Sequence, residues 1–123
     1  MSYAPHMLPK LRSKRLMDAV AGMPCTLRIS SFVPGHRCAG RETVVGCHLP
    51  TIGKGMKTKV TDMAVVAACF NCHNLLDRVD GRIDYIETKF PAALAARMLD
   101  ALVETHAMLI SAGIITVKGG KIV

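Results

Sequence analysis

Aromatic side chains are scarce in this sequence. It has no tryptophan, two tyrosines and three phenylalanines among 123 residues, although 50% of the residues are hydrophobic. That apolar fraction excludes an intrinsically disordered chain, and the core must be assembled mainly from aliphatic side chains. A core of this size is often reinforced by a bound metal or another cross-link.

Long apolar runs are missing as well. No stretch approaches the roughly 20 apolar residues of a membrane span, and the apolar segment after Arg15 is interrupted at Asp18, which argues against a signal peptide. We therefore predict a cytoplasmic protein without a membrane partner. In the reducing cytosol its five cysteines favour metal binding over disulfides.

Acidic residues are in deficit. Asp and Glu number 9 against 16 Lys and Arg, a formal charge of +7. This balance favours a polyanionic partner, and DNA is the predicted one; the alternative is a basic protein that binds nothing specific. Residues 1–15 are predicted to form a flexible basic arm, and the loop 50–62 is also basic, unless it is merely solvated. The predicted phosphate contacts are Lys54, Lys57, Lys59 and Arg78.

The rest of the chain, residues 16–123, is predicted to be a single α+β domain. Strands are predicted at 25–33 and 41–49, where β-branched and apolar residues end at a proline. The apolar run 63–69 is interpreted as a buried strand, with a short helix as the alternative. The C-terminal end is predicted to be an edge strand or hairpin.

Two helices are predicted. The first runs from Phe70 to about Val79, and the second covers 91–112, with a proline at its start and Gly113 at its end. The second helix is apolar around most of its circumference. One small domain can hardly bury so wide a face, so part of it is predicted to contact a second copy of the chain.

The most specific motif is Cys69-x-x-Cys72-His73. Such spacing attaches c-type haem, holds half a zinc site, or places a zinc site beside a nuclease metal. Haem attachment normally follows export and would leave the other cysteines without a role. Cys25 and Cys38 flank a predicted hairpin, so a zinc site of four thiolates is predicted from these two and the motif pair. The alternative is that Cys25 and Cys38 are small buried hydrophobic residues.

Three further polar residues accompany this motif. His73 and Asp77 are four residues apart, which places them on one helix face; the pair either binds a second metal or forms a surface hydrogen bond. His48 ends a predicted strand, where a lone histidine is more often structural. Together with a basic loop, the three residues fit phosphodiester hydrolysis, in which a metal stabilises charge and a neutral histidine takes a proton from water.

These motifs, in "VVGCHLP" and "TDMAVVAACFNCHNLLDR", resemble the HNH endonucleases, and more closely the small phage- and prophage-encoded putative nucleases of that superfamily. The resemblance implies a ββα-metal, treble-clef-like core with a structural zinc and an additional C-terminal helix. It implies that His48 is the general base and that His73 and Asp77 bind Mg²⁺ or Mn²⁺. The asparagine of the family is replaced by Ala64, and Asp62 is the nearest polar candidate for its role.

Cys47 stands where many members of that family carry a metal-binding residue. Strand alternation sends Cys47 and His48 to opposite faces, so Cys47 is predicted to pack rather than to bind metal. The leading functional prediction is a metal-dependent DNA endonuclease. The first alternative is a zinc-stabilised DNA-binding protein without catalysis, and the second is an assembly protein that oligomerises through the helix 91–112.

Overall fold

The computed structural model describes residues 8–50 and 60–123, and within them the fold is α+β, as predicted. The described residues form two strands and four α-helices. The helices are α1 Lys14–Val20, α2 Phe70–Leu76, α3 Ile83–Lys89 and α4 Pro91–Ser111, and the strands are β1 Val45–His48 and β2 Val65–Ala68. The loop lysines Lys54, Lys57 and Lys59 lie outside the described residues.

The two strands form an antiparallel sheet in which His48 is opposite Val65 and Val45 is opposite Ala68. Every residue of β2 is buried, which agrees with the buried strand predicted from the apolar run 63–69. The strand predicted at 41–49 is shorter than expected, because Arg41–Thr43 form a 3-10 turn before β1 begins. α2 begins at Phe70, directly after β2 and the capping residue Cys69.

The strand predicted at 25–33 is wrong. Thr26 and Leu27 both donate their backbone N–H groups to the carbonyl of Ala67, at 2.8 and 3.3 Å, so this segment lies beside β2 without continuing its ladder. Arg28 then adopts a left-handed φ of 46°, which interrupts an extended chain, and Ser30–Phe32 form a 3-10 turn. The hairpin that was expected to join Cys25 and Cys38 is therefore replaced by an irregular loop.

Helix α4 crosses β2 and joins the core through a buried hydroxyl. Thr105 is fully buried, and its Oγ1 accepts from the Ala67 N–H at 3.2 Å and lies 3.0 Å from Oγ1 of Thr26. The hydroxyl thus satisfies a buried backbone donor that would otherwise be costly. α4 begins at Pro91 and ends one residue before the predicted end, with Gly113 at a φ of 75°.

Helices α1 and α3 were not predicted. Ser13 caps α1 by accepting from the Leu16 N–H at 3.1 Å, and Leu11 donates its N–H to Oγ1 of Thr61 at 3.0 Å. The end of the predicted basic arm is therefore attached to residues 60–62 rather than extended into solvent. The predicted C-terminal strand or hairpin is also wrong, since the structure has only turns after α4.

One side of α4 remains exposed to solvent in the single chain. Leu99 and Val103 are 63% and 61% exposed, so the predicted contact with a second copy stays a prediction. None of the helices formed by residues 8–50 and 60–123 combines the length and apolar character needed to span a bilayer.

Candidate functional site

Four cysteines from separate segments meet beside the start of α2. This four-cysteine cluster comprises Cys25, Cys38, Cys69 and Cys72, whose Sγ atoms all lie within 4.8 Å of one another. Cys69 caps α2 and Cys72 lies in its first turn, so the helix start presents both sulfurs to the same point. All are free thiols, and the set is the one predicted from the sequence.

Two of the sulfur–sulfur distances are close to those of a tetrahedral metal site. Sγ of Cys38 lies 3.9 Å from Sγ of Cys25 and 3.6 Å from Sγ of Cys72. A tetrahedron with zinc–sulfur bonds of about 2.3 Å separates its sulfurs by about 3.8 Å. The four-cysteine cluster could therefore hold a structural metal ion such as zinc.

Backbone amides point at these sulfurs. The N–H groups of Cys69 and Ala39 lie 3.3 Å from Sγ of Cys25 and of Cys69 respectively, and the Cys72 N–H lies 3.5 Å from Sγ of Cys69. Such donors stabilise the negative charge that a thiolate brings to a metal. Sγ of Cys72 also lies 3.1 Å from Oγ of the buried Ser30.

The close approach of the thiols moves their pKa values in opposite directions. The hydrogen bond with Cys72 lowers the pKa of Cys25 to about 5. Burial, reinforced by the nearby Cys25 sulfur, raises the pKa of Cys38 to about 12, and the interaction with Cys25 together with burial raises the pKa of Cys72. Four thiolates at this spacing need a cation between them.

A pocket of about 500 Å³ opens near the end of β1 and the C-terminal half of α2. It contains four of the polar residues that the sequence singled out, together with a guanidinium. Its lining residues are Arg12, Gly46, His48, Val60, Asp62, His73 and Asp77.

The side chain of Asp62 contacts the ring of His48. Nε2 of His48 lies 2.9 Å from Oδ1 of Asp62. Burial opposes ionisation of Asp62, but the Ser13 N–H, which donates to Oδ2 at 2.7 Å, and the His48 ring hold the pKa of this carboxyl below its ordinary value. Because an ionised carboxylate only accepts hydrogen bonds, Nε2 of His48 donates to Asp62.

His73 and Asp77 form the pair that helical spacing predicts. Nε2 of His73 lies 2.9 Å from Oδ2 of Asp77, and their side chains are 30% and 42% exposed. Asp77 is the C-cap residue of α2. Both side chains line the pocket that contains His48, so the three residues assigned to catalysis and metal binding by the resemblance share one cavity.

Cys47 lies close to the His73–Asp77 pair as well as in the core. It is buried, as expected for a packing residue, but its sulfur and a ligand atom from each of His73 and Asp77 all lie within 4.8 Å of one another. Strand alternation sends Cys47 and His48 to opposite faces, yet each of them lies near His73 and Asp77. His73 and Asp77 consequently reach Cys47 while they share the pocket with His48.

Two arginines, Arg78 and Arg12, make contacts in the structure that the sequence did not predict. Arg78 was predicted to contact nucleic acid, and this stays a prediction. In the structure its guanidinium pairs with Glu87 at 2.8 Å and with Asp84. Arg12 was not assigned to the site, although its place in the basic stretch offered a signal. Its NH1 donates to the Val60 carbonyl and lies 3.9 Å from Oδ1 of Asp62.

No family model matches the chain, and searches of curated proteins and of solved structures returned no match either.

Proposed function

We propose that this protein is a metal-dependent DNA endonuclease of the HNH type, with a structural zinc in the four-cysteine cluster. The observation that carries the proposal is the shared pocket, in which the His48–Asp62 pair faces the His73–Asp77 pair. The order of β1, β2 and α2, with His48 ending the first strand and His73 on the helix, is the arrangement that the resemblance to HNH nucleases implies.

Each residue of the pocket has a chemical task in phosphodiester hydrolysis. Asp62 holds the His48 ring, which would accept a proton from the attacking water. The Arg12 guanidinium, at the rim of the same pocket, is positioned to contact a phosphate oxygen. A divalent cation held by His73 and Asp77 would supply positive charge to the phosphate and the leaving oxygen.

The net charge of the chain supports a nucleic-acid substrate. The sequence carries a formal charge of +7, and association with a polyanion should accordingly weaken as salt increases. Zinc in the four-cysteine cluster would connect the loop that carries Cys25 and Cys38 to the start of α2. That connection fixes the helix on which His73 and Asp77 stand.

The test is cleavage of supercoiled plasmid by the purified protein, with Mg²⁺, Mn²⁺ or Zn²⁺ added, beside the His48→Ala variant. We expect His48→Ala to lower the rate by about two to four orders of magnitude while DNA affinity and metal content stay unchanged. His106→Gln is the matched control, because His106 lies outside the pocket and bonds the Met63 carbonyl at 3.0 Å, a contact that glutamine can keep.

Two outcomes contradict the proposal. Cleavage by His48→Ala at the wild-type rate would remove the proposed base. If the wild-type protein binds DNA but cleaves none of the supercoiled, linear or single-stranded forms with any of the three cations, the protein is a zinc-stabilised DNA-binding module.

A further inference from the structure

Cys47 has no part in the mechanism described above, yet it lies against the pair that would hold the cation. Among the described residues, the Sγ of Cys47 and one atom each of His73 and Asp77 form a group of possible metal ligands. This group is separate from the four-cysteine cluster. The side chain is fully buried. A buried cysteine is commonly a small apolar residue, but packing alone does not require its sulfur to face an imidazole and a carboxylate.

We propose that Cys47 supplies a thiolate ligand to the cation held by His73 and Asp77, and that this pocket therefore takes a thiophilic transition-metal ion such as Zn²⁺ rather than Mg²⁺. The inference rests on the proposed metal site of the nuclease and specifies its third ligand and its metal class.

The geometry suits such a site. Zinc bonds of about 2.0–2.3 Å in a tetrahedron separate the ligand atoms by about 3.3–3.8 Å, and the three candidate atoms lie within 4.8 Å of one another. The His73–Asp77 separation of 2.9 Å needs to widen only slightly. Three protein ligands leave a fourth position for water or phosphate, which is the usual arrangement of catalytic zinc sites.

The chemical identity of the ligands decides which metal is preferred. Mg²⁺ favours oxygen ligands in an octahedron and keeps much of its water shell, so a set of one sulfur, one nitrogen and one carboxylate oxygen suits it poorly. Thiolate and imidazole together favour Zn²⁺ or Co²⁺. Cys47 is buried on one side of the site, and His73 and Asp77 are partly exposed on the other. The fourth coordination position of the metal would therefore face the pocket.

The test uses Co²⁺ as a coloured substitute for Zn²⁺, with no DNA present. Protein whose four-cysteine cluster has been filled with one equivalent of zinc is titrated with Co²⁺, and zinc content is measured after the titration to show that the cluster keeps its metal. We expect one further equivalent of Co²⁺ to bind with a sulfur-to-cobalt charge-transfer absorption. Cys47→Ala should lose that absorption and bind the second equivalent of Co²⁺ at least about 100-fold more weakly. Mutation of a residue that only hydrogen-bonds to a metal ligand already lowers metal affinity about 10- to 100-fold.

Cys47→Asp provides a second variant, which should shift the preferred cation of the pocket towards Mn²⁺ and Mg²⁺. Absence of the sulfur absorption at the second equivalent in the wild-type protein would overturn the inference, whatever the variants do. Equal affinity of wild type and Cys47→Ala for that equivalent would also overturn it.

Metal binding and DNA cleavage are measured separately, so the ligand assignment and the nuclease proposal can fail independently. If the second Co²⁺ binds through sulfur but no DNA is cleaved, the ligand assignment stands and the nuclease falls. If Mg²⁺ supports cleavage equally in wild type and Cys47→Ala, the nuclease stands and the ligand assignment falls.

Discussion

Cys72 and His73 are neighbours in α2, yet their side chains belong to surroundings of opposite character. Cys72 points into the four-cysteine cluster, where all the side chains are thiols whose sulfurs lie within 4.8 Å of one another and backbone amides donate to the sulfurs. His73 points into an open pocket with two carboxylates, a second histidine and a guanidinium. Closed sites of uniform thiolates are typical of structural metals, and sites with an open position are typical of catalytic ones.

The comparison teaches how one short helix can serve two sites. Because consecutive residues of a helix are rotated by about 100°, the Cys-x-x-Cys spacing directs two sulfurs to one side while the next residue faces another. A metal in the four-cysteine cluster would then hold the helix in place, and the pocket would depend on it. The reverse dependence is not expected, since His48, His73 and Asp77 are partly exposed.

The largest effect should follow from breaking the four-cysteine cluster. Cys72→Ser removes a fully buried ligand, and we expect loss of the bound zinc and of about 5 kcal/mol or more, comparable with the whole stability of a small domain. Elemental analysis and circular dichroism measure the two effects. A folded Cys72→Ser protein that still holds one equivalent of zinc in the cluster would contradict the prediction, and Cys47→Ser, which leaves the cluster complete, is the control.

His73→Ala changes the neighbouring residue and should have a different result. The side chain is 30% exposed and pairs mainly with Asp77, so we expect a loss of stability below about 1 kcal/mol. Cleavage should nevertheless fall about 100-fold or more, since a metal ligand is removed. Thermal unfolding and plasmid cleavage are measured on the same preparation. Unfolding of His73→Ala as complete as that of Cys72→Ser would show that the two sites cannot be separated.

Arg12→Ala tests whether the pocket faces a phosphate. A hydrogen bond to a charged group contributes about 1.5 kcal/mol, so DNA affinity should fall about tenfold, and the dependence of log affinity on log salt should lose about one unit of slope. Lys14→Ala is the matched control, because it removes the same charge from a side chain that pairs with Asp18 outside the pocket. Equal effects of the two changes would mean that Arg12 contributes only general charge.

The smallest effect should come from Asp62→Asn. The carboxyl accepts from the Ser13 N–H and contacts His48, and we expect a loss of about 1 kcal/mol at neutral pH. A carboxyl with a lowered pKa binds fewer protons in the folded protein than in the unfolded chain. Its contribution is therefore complete above the ordinary value of 3.8 and is lost as pH falls through the lower folded-state pKa.

The measurement is the difference in unfolding free energy between wild type and Asp62→Asn as a function of pH. Taking this difference cancels contributions that both proteins share, those of the cysteines included. The lowered pKa of Asp62 predicts that this difference shrinks as pH falls below the ordinary carboxyl value of 3.8. A difference that grows in that acidic range would have the wrong sign for a lowered pKa.

Local patterns in the sequence predicted the parts of the fold that local interactions determine. The apolar run before Cys69 predicted β2, and the proline and glycine at the ends of α4 predicted its limits to within one residue. The Cys-x-x-Cys-His spacing placed two sulfurs and His73 correctly relative to the helix start, because that spacing is itself helical geometry.

Long-range contacts account for what the sequence could not predict. The left-handed conformation of Arg28 and the hydrogen bonds to Ala67 replaced a predicted strand with a loop, and no residue pattern within 25–33 signals either. Asp62 accepts a hydrogen bond from the N–H of Ser13, which is 49 positions away in the sequence. The approach of Cys47 to His73 depends on how α2 packs against the sheet, which strand alternation by itself does not predict.

Selective removal of metal tests the central claim, that a closed structural site and an open catalytic site coexist on one helix. The protein is treated with increasing concentrations of chelator, and metal content, helicity and plasmid cleavage are followed together. We predict that cleavage is lost first, with one equivalent of zinc and the fold retained, and that added Zn²⁺ or Co²⁺ restores it. Loss of cleavage only when the last zinc and the helicity are lost, or undiminished cleavage by protein with a single zinc, would contradict the account.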